Sequence, residues 1–204
     1  MLFSSLTFLF GFLPILLILY FIIKNRKYKN VVLLIFSLLF YAWGEPKYIL
    51  LMLLTILIVY IFGILIDKFD REKKLTLKKL SLILCIILVL GSLIFFKYSN
   101  FLIENINSIF NTKINLINVI MPIGISFYTF QIISYTVDVW RGDTKAQRNI
   151  ISFGTYVSLF PQLIAGPIVR YTDIERELQE RKHSVTLAAS GIKRFLIGLS
   201  KKVL

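Results

Sequence analysis

Cysteine and histidine are almost missing from this sequence: its 204 residues contain one of each. One cysteine excludes an internal disulfide framework, and one histidine without a second cysteine excludes a zinc centre of the usual Cys/His kind. No metal is expected. Acidic side chains are also few, 11 against 24 lysines and arginines, which leaves a net charge of +13. Such an excess suggests nucleic acid when it forms a continuous face on a soluble domain. Here the basic residues stand in short clusters between apolar runs, so no nucleic-acid partner is expected. Charged residues of either sign make up only 17% of the chain and hydrophobic residues 57%, whereas roughly a quarter of a soluble domain is charged. The partner that this composition demands is the lipid bilayer.

Uncharged runs delimit the candidate spans. Residues 3–23 are 21 residues without a charge, about 31 Å as a helix and enough for a hydrocarbon core of about 30 Å. A signal peptide would carry its basic region before the run, but here Lys24, Arg26, Lys27 and Lys29 follow it, so a retained helix is expected. Residues 48–66, 80–96 and 149–169 are similarly uncharged, and 114–137 is uncharged but rich in polar groups. Residues 31–44 number only 14, a length more typical of an interfacial or re-entrant segment, yet Tyr41 and Trp43 at the end match an aromatic belt and suggest a sixth, short span. The expected fold is all-α: a polytopic integral membrane protein of about six transmembrane helices with interfacial amphipathic helices, one membrane domain over 1–204.

The short loops set the orientation. Residues 24–30 carry four basic residues and no acid, 67–79 carry six against three acids, and 138–149 carry three basic residues. The positive-inside bias places these three loops in the cytoplasm and the N-terminus outside. Residues 99–118 contain six asparagines among Phe101, Leu102, Ile106, Ile109 and Phe110, whose spacing predicts a helix in the outer interface over the first half. Residues 170–186 are the most polar stretch, and Thr172 with Asp173 marks a helix start. From 187 to 204, Ile192, Phe195, Leu196, Leu199 and Val203 recur at helical spacing with Lys193, Arg194, Lys201 and Lys202 between them, an amphipathic basic helix. No helix-ending residue follows, so Leu204 reads as an interruption of the pattern.

Polar residues at membrane depth are the candidates for chemistry. Ser126, Tyr128, Gln131, Ser134, Tyr135 and Asp138 lie on one expected helix, and pairs three or four apart, such as Tyr128 with Gln131, share a face. Such a face looks into a bundle or a water-filled cavity, as helix–helix glue or as the lining of a passage, and both readings stand. In the next run Pro161 and Pro167 each remove a backbone donor and Gly166 permits unusual backbone angles. A broken segment bordering a cavity or making a re-entrant turn is expected. Arg170 is a headgroup anchor or a partner for an anionic group.

Three ordered motifs carry a family resemblance: residues 40–48 (FYAWGEPKY), 121–131 (MPIGISFYTFQ) and 160–171 (FPQLIAGPIVRY). Together they resemble the membrane-bound O-acyltransferase family, and within it the bacterial alginate O-acetyltransferase branch, whose members acetylate exported or cell-wall polysaccharides. The branch that D-alanylates teichoic acid is a more distant match. The resemblance implies a bacterial plasma-membrane enzyme enclosing a tunnel. Its donor would be acetyl-CoA or an acyl carrier with no resident cofactor, its acceptor a polysaccharide, and a separate extracytoplasmic partner protein would complete the transfer. It also implies that the catalytic histidine lies beyond Leu204, so that this chain is an N-terminal piece with no catalytic residue of its own. His183 sits in a charged, water-facing context and Cys85 in an apolar one without a base, so neither is expected to replace it. The tunnel candidates in this chain are Ser126, Tyr128, Gln131, Tyr135, Gln162, Gly166, Pro167 and Arg170. A non-catalytic membrane scaffold is the alternative, and a transporter the weaker one, since residues 1–96 and 114–204 show no convincing internal repeat.

Overall fold

The computed structural model describes residues 3–163, 167–181 and 184–203. Among them every regular element is helical: α1 (Thr7–Ile22), α2 (Arg26–Gly44), α3 (Ile49–Arg71), α4 (Leu75–Phe110), α5 (Ile125–Arg141), α6 (Ile150–Ser158), α7 (Phe160–Leu163), α8 (Tyr171–Glu180) and α9 (Val185–Val203). Helix α1 opens in wide π winding over Thr7–Phe12, just ahead of Pro14, where the proline's missing N–H already interrupts the usual ladder. His183 and Gly166 fall outside the described residues.

Apolar side chains face outward here as well as inward, and much of the polar content of the helices is buried. Helix α4 buries Ser81, Cys85, Val89 and Leu93, one stripe at a spacing of four, and turns Ile83, Leu84, Ile87, Leu88, Ile94 and Phe95 outward. Helices α5 and α6 bury Thr129, Gln131, Thr136, Ser152, Thr155 and Ser158. Hydroxyls and amides inside, with leucine and isoleucine outside, is the arrangement that hydrocarbon selects. Two helices, α3 and α4, are long and apolar enough to cross a membrane.

The loops expected on one side do meet at one end of the bundle. Arg148 Nη2 lies 2.6 Å from Asp67 Oδ2, tying the loop before α6 to the end of α3. Asn30 Nδ2 donates to Ser152 Oγ at 3.3 Å, tying the start of α2 to the start of α6. The α3–α4 turn closes with Lys73 in left-handed backbone (φ +56°) and Lys78 Nζ 2.5 Å from Asp70 Oδ1.

Two sequence expectations change here. The asparagine-rich stretch does not form a separate interfacial helix: it continues α4, which reaches 36 residues, or about 54 Å. Nor is 114–124 helical. Asn111 ends α4 in left-handed backbone (φ +49°), and the chain returns extended along the helix it has just left. Asn107 holds both the N–H and the carbonyl of Ile114, each at 2.9 Å. Asn100 does the same for Ile117, at 2.9 and 3.0 Å. The lengths agree: the seven helical residues between the asparagines rise about 10.5 Å, and the three extended residues between their partners cover about 10 Å. These amide pairs replace the ladder that a helix over 114–124 would supply.

Replacing Asn100 and Asn107 together by alanine is expected to speed amide exchange at Ile114 and Ile117 about tenfold or more, since each lost bond is worth about 1 kcal/mol. Hydrogen–deuterium exchange with mass spectrometry reads this directly, and unchanged exchange there would show that the asparagines do not hold the strap.

Candidate functional site

The segment 149–171 leaves one end of the bundle and comes back to it. Gln147 marks the two feet: its Oε1 accepts from Asn149 N–H at 2.9 Å and its Nε2 donates to Tyr171 Oη at 2.7 Å. Asn30 joins the flanking helices, with Nδ2 on Ser152 Oγ and on the Leu178 carbonyl at 3.2 Å. The tip lies further along α2, where Phe160 N–H donates to Ser37 Oγ at 3.3 Å and the Phe160 ring packs 5.3 Å from Phe40. From Asn30 to Phe40 is ten helical residues, about 15 Å, or half of a hydrocarbon core. The break expected in the run 149–169 is therefore present, and the described limbs on either side of it return to the same end of the bundle. The cause is local: Pro161 has no N–H for the Val157 carbonyl, the Phe160 N–H goes to Ser37, and the helix stops at Leu159.

The break strands the Tyr156 carbonyl at depth, and two glutamines take it up. Gln131 Nε2 donates to it at 3.0 Å from α5, and Gln162 Nε2 at 2.7 Å from α7. The Tyr156 hydroxyl crosses to the returning limb and donates to the Val169 carbonyl at 3.1 Å. Tyr156 thus holds both limbs, through its carbonyl on one side and its phenol on the other. Tyr135 accepts from Gln147 N–H at 2.9 Å and stands edge-on to Tyr171 at 5.0 Å and tilted to Phe153 at 4.8 Å. Burial pushes the Tyr171 phenol above its ordinary range, so its oxygen remains protonated while it accepts from Gln147.

The other candidates are placed differently. Tyr128 is 1% exposed, and its hydroxyl has no hydrogen-bond partner among the described residues, as is also true of Tyr41 Oη, Thr129 Oγ1 and Asp138 Oδ2. Ser126 is half-buried, and Pro167 and Arg170 are exposed. The structure thus brings Gln131, Gln162 and Tyr135 together around the loop, with Tyr128 one helical turn from Gln131, and leaves Pro167 and Arg170 at its returning edge. Sequence reading missed Tyr156, Gln147, Tyr171 and Asn30. None of them carried a signal of its own: Asn30 closes a run of lysines and an arginine that reads as topology, and Tyr171 closes the third motif.

Cavities lie at both ends of this arrangement. One of about 390 Å³ between Phe3, Phe8, Leu13, Phe160 and α9 is apolar except for Arg194. One of about 560 Å³ at the end that holds the feet includes Asp67, Asp70, Arg71, Arg148 and Glu175 in its wall, and a smaller one of about 300 Å³ lies between the starts of α2 and α6 and the last turn of α8. None of the three is lined by the tunnel candidates. Among the described residues no group of histidine, cysteine or carboxylate side chains fits a metal ion.

Along its whole length the chain is 41% identical to the probable alginate O-acetylase AlgI of Pseudomonas aeruginosa and 38% identical to that of Azotobacter vinelandii. Curated proteins that match the chain over all of its residues are thus named as alginate O-acetylases, of the membrane-bound O-acyltransferase family. It is also 30% identical, again over 100% of its residues, to the peptidoglycan O-acetyltransferase of Helicobacter pylori. The chain covers 39%, 41% and 44% of these three proteins, or about two fifths of the length of the curated relatives it matches. No family model matches the chain, and no solved structure matches it. The O-acyltransferase resemblance thus extends beyond the three motifs to all 204 residues of the homologue.

Two glycines test whether the loop tip is seated as described. Gly124 and Gly142 both have positive φ (+76° and +87°), but a Cβ on Gly124 would lie 2.8 Å from the Leu163 carbonyl oxygen, while nothing lies within 4 Å of one on Gly142. Gly124→Ala is expected to cost about 1–3 kcal/mol more than Gly142→Ala, the difference being the overpacking against backbone. Thermal unfolding of both variants in detergent measures it, and equal losses would unseat the tip.

Proposed function

We propose that the protein in its whole length transfers an acetyl group from a thioester donor on the cytoplasmic side to a hydroxyl of an exported or cell-wall polysaccharide. The observation that carries this reading is end-to-end similarity to alginate O-acetylases and to a peptidoglycan O-acetyltransferase, whose names share one reaction on two different envelope glycans. In that reaction the acceptor oxygen bonds to the thioester carbonyl carbon and the carbon–sulfur bond breaks. The hydroxyl proton passes to a general base and then to the departing sulfur. Cys85, 3.9 Å from Thr136 Oγ1 and packed among apolar core residues, does not suit that base. We assign the base to a histidine in the portion of such enzymes that this chain does not span.

In this reading the described helices are part of the tunnel wall. Ser126, Tyr128, Gln131, Tyr135, Gln162, Gly166, Pro167 and Arg170 are its candidate lining, supported by the re-entrant loop that several of them border and by the unpaired Tyr128 hydroxyl. The protein is a multi-pass component of a bacterial plasma membrane with its N-terminus outside. Acetyl-CoA or an acyl carrier delivers the acetyl group at the end where the basic loops gather, and an extracytoplasmic partner completes transfer onto the glycan.

The source reading frame, expressed to its stop codon in its own host after disruption of the chromosomal copy, where the extracytoplasmic partner is present, is expected to add base-labile acetate to envelope polysaccharide several-fold above the empty vector. A well-inserted product that adds none would move the reading to a scaffold. Gln131→Ala and Gln162→Ala should each lower that acetate, and the pair should lower it further, because the Tyr156 carbonyl then loses its donors one by one, at about 1–3 kcal/mol for a buried group left unpaired.

Orientation has its own test. With Cys85 replaced by serine, Lys113→Cys should react with an impermeant maleimide in intact cells, whereas Lys145→Cys and Glu177→Cys should react only after permeabilisation. Labelling of positions 145 and 177 from opposite sides would contradict the re-entrant path.

A further inference from the structure

We propose that the 300 Å³ cavity between the starts of α2 and α6 and the last turn of α8 binds a phosphate ester. Its wall includes Arg26, Lys27, Asn30, Asn149, Ser152 and Gln179, and no carboxylate lines it. The neighbouring 560 Å³ cavity shows the contrast: there Asp67, Asp70 and Glu175 stand against Arg71, Lys145 and Arg148, and Arg148 and Arg71 both pair with Asp67, at 2.6 and 3.5 Å. One cavity is balanced in charge; the other has Arg26 and Lys27 in its wall and no acid among the described residues that line it, Glu177 and Glu180 meeting Arg26 only in the adjoining cavity.

The donors in the smaller cavity are held in place without being used up. Arg26 Nη1 donates to the Gln179 carbonyl at 2.6 Å, which fixes the guanidinium while leaving most of its five N–H groups free. Lys27 makes no ion pair among the described residues, and its side chain is exposed. Asn149 turns Oδ1 inward to cap α6, accepting from Ile151 N–H at 2.9 Å and Ser152 N–H at 3.3 Å, so its amide N–H groups are the part left over. A guanidinium, an ammonium and an amide around a space of this size require an anion rich in acceptors. A phosphate ester, with several acceptor oxygens and up to two charges, meets that demand better than a neutral sugar. The same chemistry is offered by the headgroup of an anionic lipid and by the phosphates of a soluble nucleotide thiol. The site goes beyond acetyl transfer and is read by binding alone, so failure of the transfer reading would leave it standing.

Two substitutions separate charge from folding. Asn149→Asp keeps an equally good cap for α6 while replacing the amide donors with a carboxylate oxygen, and Lys27→Gln removes a charge from a side chain that makes no ion pair among the described residues. The detergent-purified full chain is titrated calorimetrically with coenzyme A, and separately tested for thermal stabilisation by phosphatidylglycerol against phosphatidylcholine. Tenfold or greater weakening by Asn149→Asp and about threefold by Lys27→Gln is expected, with Lys113→Gln, in the strap beside α4, unchanged. Weakening confined to coenzyme A identifies the soluble ester as the ligand, and weakening confined to phosphatidylglycerol identifies the lipid headgroup. Native-like response of both variants to both probes, or no response of the unmodified protein to either, would overturn the site.

Discussion

An unpaired peptide group in hydrocarbon has no water to turn to, and leaving one bare costs several kcal/mol. The loop over 149–171 can therefore break its helix at Leu159 only because neighbouring side chains take over the backbone's bonds. Ser37 receives the Phe160 N–H, two glutamines from different helices converge on the Tyr156 carbonyl, and the Tyr156 hydroxyl serves the Val169 carbonyl on the way back. Remove these and the segment's other course is a continuous helix, which Pro161 forbids. The packing of α2, α5 and α6 follows from the need to deliver those groups to one place, and Gly154 lets α6 come close enough that an added Cβ would lie 3.2 Å from Leu34 Cδ1.

The same demand accounts for the aromatic interior. Tyr135, Tyr156 and Tyr171 are fully buried; Tyr135 and Tyr156 lie tilted against Phe153, and Tyr171 stands edge-on to both of them. Each of the three places a polar tip where the loop needs a bond and an apolar ring where it needs filling. Phenylalanine would fill the space without reaching the backbone. Gly63 completes the fit, since a Cβ there would meet Tyr135 Oη at 3.1 Å.

How much of this was legible beforehand depends on whether the cause was local. Uncharged runs located α1, α3 and most of α5, because hydrophobicity is a property of each segment by itself. The prolines announced a break near Pro161 for the same reason. What escaped were partnerships across distance. Nothing in the pattern around Ile114 says that Asn107 will hold it, and the asparagines read as interfacial decoration on a helix of their own. Tyr156 sits in the apolar stretch ahead of that break, where nothing in the sequence marks it as the residue that holds the loop together. Asn30 closes a basic cluster that the positive-inside bias explains without it, so its link from Ser152 to the Leu178 carbonyl carried no separate signature. Gln131 and Gln162 were visible as polar groups at depth, but their shared target was not.

Helix α4 sets one more dimension. At about 54 Å it would need a tilt of about 56° to fit inside a 30 Å layer, whereas membrane helices tilt by at most about 40°. Even at that limit some 11 Å of it must stand clear of the hydrocarbon. The strap along Asn100 and Asn107 therefore works as a stiffening rib on a mast: it ties the last turns of the helix to a second, extended layer of chain. A helix so braced fixes the distance between its two ends by the chain itself and not by the thickness of the bilayer around it.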